Sequence, residues 1–181
     1  RQRQDVYKRQ VMICDDLYSF MKSSKKAELD RKNVRENSVS KELKNIIPIQ
    51  SIWEDLDLLE DRLIEISSSS DPYLTEISQY LISAGGKRFR PLIALLAGKL
   101  GEGDNKKVID AGVSVELIHL GSLYHDDVID DATTRRGVVS TNKQWNSTLA
   151  ILAGDYLLAR SSELAAESLG LESVKLLAST Y

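Results

Sequence analysis

The sequence predicts an all-α fold. Three observations point there: Leu, Ala, Glu, Ser and Lys dominate the composition, only three prolines interrupt the chain, and Val/Ile/Thr alternation is scarce. With 181 residues, 42% hydrophobic and 28% charged, the chain can bury one real core. Its net charge of −3 argues against nucleic acid as a main partner. A single cysteine, Cys14, excludes an intramolecular disulfide framework and suits a reducing, cytoplasmic setting. No apolar run is long enough to span a bilayer, and the polar opening RQRQDVYKRQ does not resemble a secretory signal.

The elements follow in order. Residues 1–50 are expected to form a polar extension, solvated over 22–45, with residues 1–11 foreign to a natural start at Met12. The main domain is expected over 51–181. Trp53, Leu56, Leu59, Leu63 and Ile66 recur at three- and four-residue steps and predict an amphipathic helix. Asp71-Pro72 supplies a cap and a first-turn proline for the next helix, which Gly85-Gly86 ends. Pro91 is expected to open a third helix, LIALLAGKL, apolar nearly all round and so buried. A long helix spans about 106–131, a polar loop 132–147, and a further helix runs to Gly170. LESVKLLASTY begins one more, with an apolar face that nothing later in the sequence covers.

Within LYHDDVIDDATTRRG four aspartates crowd the end of the long helix. Asp126 and Asp130 share a face, with Asp127 beside them and Asp131 a turn from Asp127. Carboxylates packed together at the negative end of a helix dipole repel, and a divalent cation reverses that sign. Magnesium fits, being held typically by one or two carboxylates with waters and phosphates. A solvated acidic helix end is the plainer alternative, although the apolar stretch upstream places these residues on a core element. His119, seven residues earlier on the same face, is either a core histidine or an anion contact. GGKRFRP sets Lys87, Arg88 and Arg90 behind two permissive glycines at a helix start, which favours phosphate; an ordinary basic loop is the alternative. Arg135-Arg136 either neutralises the aspartates or holds free phosphate oxygens.

GGKRFRP, ELIHLGSLYHDDVIDDATTRRG and AILAGDYLLAR, in this order and spacing, resemble the trans-type polyprenyl diphosphate synthases, from about residue 50 onward. The resemblance implies an isoprenoid-synthase bundle around a central cavity, and magnesium-dependent head-to-tail addition of isopentenyl diphosphate to an allylic diphosphate. It implies Asp126 and Asp130 as metal ligands with Asp127 assisting, and Arg135 on the allylic diphosphate. Lys87, Arg90, His119 and Arg136 would hold isopentenyl diphosphate. It further implies a homodimer, with peripheral membrane contact for product release. Gly121, five residues before the motif where short-chain members carry a bulky aromatic, and its neighbour Ser122 imply an open cavity floor and a long-chain product; close helix packing at Gly121 is the plainer alternative. The family's second aspartate-rich motif does not occur after Asp131, so these residues are expected to be the N-terminal part of an enzyme, inactive alone. A terpene cyclase would share the aspartates but leave Lys87, Arg90 and Arg136 idle. A non-catalytic partner subunit would be expected to lose the aspartates, which are present here.

Overall fold

The computed structural model describes residues 41–101 and 104–180; Cys14, Met12, residues 1–11 and most of the polar segment 22–45 lie outside these. A short helix α1 (Lys41–Ile46) precedes α2 (Gln50–Ile66). Leu43 and Ile47 already pack against the core, and the Trp53 indole N–H donates to the Ile47 carbonyl at 3.0 Å. Core contact therefore begins ahead of residue 51. Helix α3 (Pro72–Ser83) starts as expected: the Asp71 carboxylate accepts from Tyr73 N–H at 2.8 Å, a cap worth about 1 kcal/mol.

Helix α4 (Phe89–Lys99) opens two residues before Pro91. It is not buried all round: Pro91, Leu92 and Leu95 face inward, while Phe89 and Ile93 are exposed. The reason is that only one face of α4 meets α2 and α5. Helix α5 (Asn105–Ile129) is the central element, packed against α2 and α4 and most extensively against α7 (Ser147–Leu164). Between α5 and α7 lies a hairpin, β1 (Thr134–Arg135) and β2 (Val138–Val139), with a one-turn helix α6 (Thr141–Gln144). The hairpin pairs Thr134 with Val139 and Arg135 with Val138, and positive φ at Arg136 and Gly137 closes it in the tight form that matches strand twist. It falls within the segment expected to be loop. Asn146 in WNST caps α7, accepting from Leu149 N–H at 2.9 Å. After Leu164 the backbone widens into a π turn, Ala165–Leu169, which Gly170 ends at φ 88°. In α8 (Leu171–Thr180) no residue is buried.

Because α5 is enclosed, its polar residues need partners. It buries three carboxylates and each meets an arginine from a different element. Asp110 accepts from Arg62 of α2 at 3.0 Å, Glu116 from Arg88 before α4 at 3.2 Å, and Asp127 from Arg135 of β1 at 2.7 Å. These pairs tie α2, the glycine turn and the hairpin to one helix, with Val113, Leu117, Leu120 and Tyr124 filling the core between them.

Candidate active site

The four clustered aspartates take three different positions. Asp126 and Asp130, one turn apart, are exposed at the C-terminal end of α5. Asp127 leaves that face: it is fully buried and binds Arg135, so the sequence expectation that it stands beside Asp126 and Asp130 is corrected. A 100° step per residue turns it toward the core. Its second oxygen, Oδ2, has no hydrogen-bond partner. Asp131 is not helical either. It adopts the left-handed conformation (φ 49°) in the position where glycine usually ends a helix, and Ala132 N–H reaches back to the Asp127 carbonyl at 2.9 Å. Its carboxylate pairs with Lys143 at 2.6 Å. Among the described residues no three carboxylate, histidine or cysteine side chains converge to hold a metal. The exposed pair Asp126 and Asp130 still suits magnesium, which takes one or two protein carboxylates and completes its shell from water and phosphate.

Arg135 lies beside this pair. Its hydrogen bond to Asp127 and the neighbouring charges of Asp126 and Asp130 push its pKa up despite burial, so it is a fixed cation at the acidic rim. Arg136 points the other way. It donates to the carbonyls of Leu81, at 3.0 Å, and Gly85, and approaches Glu116 at 3.9 Å. Burial and the nearby Arg88 charge push its pKa down. The hairpin is thus pinned on both sides, and the Tyr80 hydroxyl donates to the Val139 carbonyl at 3.0 Å.

The basic turn also splits. Lys87 and Arg90 are exposed, whereas Arg88 is buried between Glu60 and Glu116 with left-handed backbone (φ 46°). Burial works against its charge, but the two glutamates offset that and raise its pKa. Glu116 shows the converse: burial raises its pKa although Arg88 and Arg136 oppose the shift. This ion cluster went unread in the sequence. Its signal was a glutamate on each of two apolar stripes, Glu60 after Leu56 and Glu116 beside Leu117.

His119 joins the two walls. Burial, then the charges of Arg90, Arg136 and Arg88, hold its pKa down at about 4, while Asp126 pulls the other way. It is therefore a neutral ring at pH 7 within electrostatic reach of both the basic turn and the aspartate end. Ser122 donates to the His119 carbonyl at 2.8 Å and stiffens that turn. Gly121 does not open onto free space as expected. A Cβ there would stand 3.0 Å from the Gly154 carbonyl oxygen and 3.1 Å from Leu158 Cγ, so its small size serves the α5–α7 crossing. Gly154 in turn makes room for His125, whose Nε2 lies 3.2 Å from Asp155; the Gly-Asp pair of α7 thereby seats the residue preceding Asp126.

Comparison with known proteins agrees with this arrangement. The sequence profile described as Polyprenyl synthetase matches residues 71–181. A nonaprenyl diphosphate synthase of Mycobacterium tuberculosis is 49% identical over 113 residues, covering 62% of this chain and 33% of that protein. Component 2 of a heptaprenyl diphosphate synthase of Bacillus subtilis is 43% identical over 111 residues, covering 61% of this chain and 32% of that protein. This chain thus spans about a third of the length of these curated relatives. Among solved structures, a polyprenyl synthase of Caulobacter crescentus complexed with calcium and isoprenyl diphosphate superposes with a TM-score of 0.68 at 32% identity, covering 71% of this chain and 39% of that one. No helix among the described residues is long and apolar enough to cross a membrane. Helical architecture, motif geometry and these matches agree that the chain belongs to the polyprenyl synthetase family.

Proposed function

We propose that these residues supply two walls of a magnesium-dependent trans-prenyltransferase that joins isopentenyl diphosphate to an allylic diphosphate. The observation that carries this reading is charge placement. Asp126 and Asp130 are exposed on one element, Lys87 and Arg90 on another, and His119 senses both. One diphosphate, with its metal, belongs on the aspartate pair, where Arg135 adds a fixed cation. The second belongs on the basic wall of Lys87, Arg90, His119 and Arg136. Magnesium, when bound, supplies charge neutralisation for a diphosphate leaving group.

The chain's own residues account for the rest. Arg135 stabilises negative charge as the allylic C–O bond breaks and diphosphate departs. Lys87, Arg90 and Arg136 fix the isopentenyl substrate so that its double bond faces the allylic carbon. A C–C bond forms there, and a proton is lost to restore the alkene. Neutral His119 can donate one hydrogen bond to a phosphate oxygen without adding positive charge beside the arginines. A terpene cyclase would ionise one diphosphate only and leave the basic wall without a substrate. We assign a long-chain product from the heptaprenyl and nonaprenyl relatives rather than from Gly121. A cytoplasmic homodimer with peripheral membrane contact remains part of this reading, and the exposed Ile151, Leu152 and Leu176 support further packing partners.

The test uses the full-length protein with both substrates. Asp126→Ala or Asp130→Ala should lower magnesium-dependent turnover roughly 10²–10³-fold, the size of one lost transition-state contact, with stability level or raised. Near-normal turnover at saturating magnesium would count against the assignment. Consumption of the allylic substrate alone, without isopentenyl incorporation, would favour the cyclase.

A further inference from the structure

We infer that Glu116, assisted by Glu60, is a positioning residue for the second diphosphate: through Arg88 and Arg136 it fixes the direction in which the cations of the basic wall face. The inference rests on the prenyltransferase reading and concerns residues that touch no substrate themselves.

Glu116 is 2% exposed and sits on α5 one turn before His119. Its Oε1 accepts from Arg88 Nη1 at 3.2 Å and lies 3.9 Å from Arg136 Nη2. One carboxylate therefore holds an arginine sealed in the core and another, Arg136, that keeps some exposure. Glu60 takes the other side of Arg88 through both carboxylate oxygens. Two arginines and two glutamates balance in one cluster, of which Glu60, Arg88 and Glu116 are buried and Arg136 only partly so.

The two guanidinium groups meet over Gly86. A Cβ on that residue would stand 2.8 Å from Arg88 Nη1 and 2.9 Å from Arg136 Cζ. Like charges so close repel, and the glutamates offset that repulsion. Both arginines also hold left-handed backbone, at φ 46° and 52°, a conformation that persists only where surrounding contacts over-determine it. At Arg88 that turn of the backbone sends one basic side chain inward and leaves Lys87 and Arg90 outward. At Arg136 the hydrogen bonds to the Leu81 and Gly85 carbonyls lock the hairpin onto the glycine turn. Without the Glu116 charge, Arg88 and Arg136 face each other unbalanced. The cheapest relief is for the more accessible Arg136 to swing out, which frees the Gly85 carbonyl and loosens the turn carrying Lys87 and Arg90. The aspartate pair has its own latch, Asp127 with Arg135, which holds the acidic side of the hairpin in place when Arg136 lets go.

The experiment measures inorganic pyrophosphate binding to the full-length protein by calorimetry, without divalent metal, so that the basic wall is probed alone. Glu116→Gln keeps the shape and removes the charge. Gly86→Ala keeps every charge and displaces both guanidinium groups. Each should weaken pyrophosphate roughly tenfold, about the size of one lost charge-assisted contact. In turnover, the KM for isopentenyl diphosphate should rise by a similar factor while the KM for the allylic substrate holds, a split that general destabilisation would not produce. Glu116→Asp, which restores the charge, should recover most of the affinity. Unchanged affinity in a folded Glu116→Gln protein overturns the positioning role and leaves the prenyltransferase reading standing. If Glu116→Gln fails to fold, unchanged affinity in Gly86→Ala overturns it instead. No pyrophosphate binding by the unaltered protein removes both the reading and the inference.

Discussion

The acidic end of α5 and the basic turn before α4 solve one problem in two ways. Each gathers like charges into a short stretch, turns one of them into the core and leaves the others outside. In the basic turn Arg88 goes in, and Lys87 and Arg90 stay out. At the helix end Asp127 goes in, Asp126 and Asp130 stay out, and Asp131, also outside, is taken by Lys143. The inward charges differ in how fully they are satisfied. Arg88 is gripped by two buried glutamates and a backbone carbonyl, that of Ile82 at 3.2 Å. Asp127 has one partly exposed arginine and an unpartnered oxygen. The inward charge anchors the segment and the remaining outward charges are free for ligands. The basic anchor is the more rigid, the acidic one the more adaptable.

Breaking the rigid anchor should have the largest effect. Arg88→Ala strands Glu60 and Glu116 in the core, and a buried pair that loses one partner costs roughly 3–5 kcal/mol. Chemical denaturation of the two proteins measures it. A loss below about 1 kcal/mol, the range of a surface ion pair, would mean the cluster is hydrated and the contrast with Asp127 is wrong.

Next come the outward charges of the same turn. Lys87→Ala and Arg90→Ala each remove a charge-assisted contact, about 1.5–3 kcal/mol or one to two decades in affinity. Isopentenyl diphosphate should suffer and the allylic substrate should not, with stability unchanged. Equal losses for both substrates would merge the two walls into one site.

The sequence carried the local part of this architecture plainly. Asp71-Pro72 caps α3 through contacts two and three residues away, so neighbouring letters suffice to find it. The long apolar periodicity of α5 and the stop at Gly170 are local in the same sense. What stayed hidden depends on distant partners. Arg88 reads like Lys87 and Arg90 until Glu60 and Glu116, each 28 residues away, are brought to it. The hairpin closes on Arg136-Gly137 instead of the usual Asn-Gly or Asp-Gly, and the backbone carbonyls of Leu81 and Gly85, far along the chain, hold its arginine there. Gly121 looked like an open cavity floor because Gly154 and Leu158, which close it, lie on another helix. An apolar run such as α4 shows that a helix wants burial, and its solvent-facing Ile93 shows that the run alone does not tell how many sides are covered.

The adaptable anchor predicts a smaller response. Asp127→Asn keeps an acceptor for Arg135 and gives the unpartnered position a donor. Only the charge assistance is lost, and Arg135 can hydrate, so about 1 kcal/mol of stability should go. If denaturation shows a loss as large as that of Arg88→Ala, the two anchors are equivalent and the comparison fails.

The smallest effect sharpens the boundary between the walls. His119 has a folded-state pKa of about 4 against an ordinary value of 6.5, lowered by burial and by Arg90, Arg136 and Arg88, with Asp126 opposing. Between those two values the unfolded chain binds a proton that the folded protein refuses. Stability therefore rises with pH through that window and falls as the solution is acidified from about pH 6.5 toward 4. The slope should stay well below the roughly 1.4 kcal/mol per pH unit of one full proton, because the half-buried ring is partly screened by water. Carboxylates add their own slopes, so the measurement is a difference. Urea midpoints of the unaltered protein and of His119→Gln are compared at pH 7 and pH 5. The variant should lose less stability than the parent on acidification, since glutamine takes up no proton. Equal losses would mean that Asp126 cancels burial and the arginines at this ring, and a larger loss by the variant would place His119 on the acidic wall.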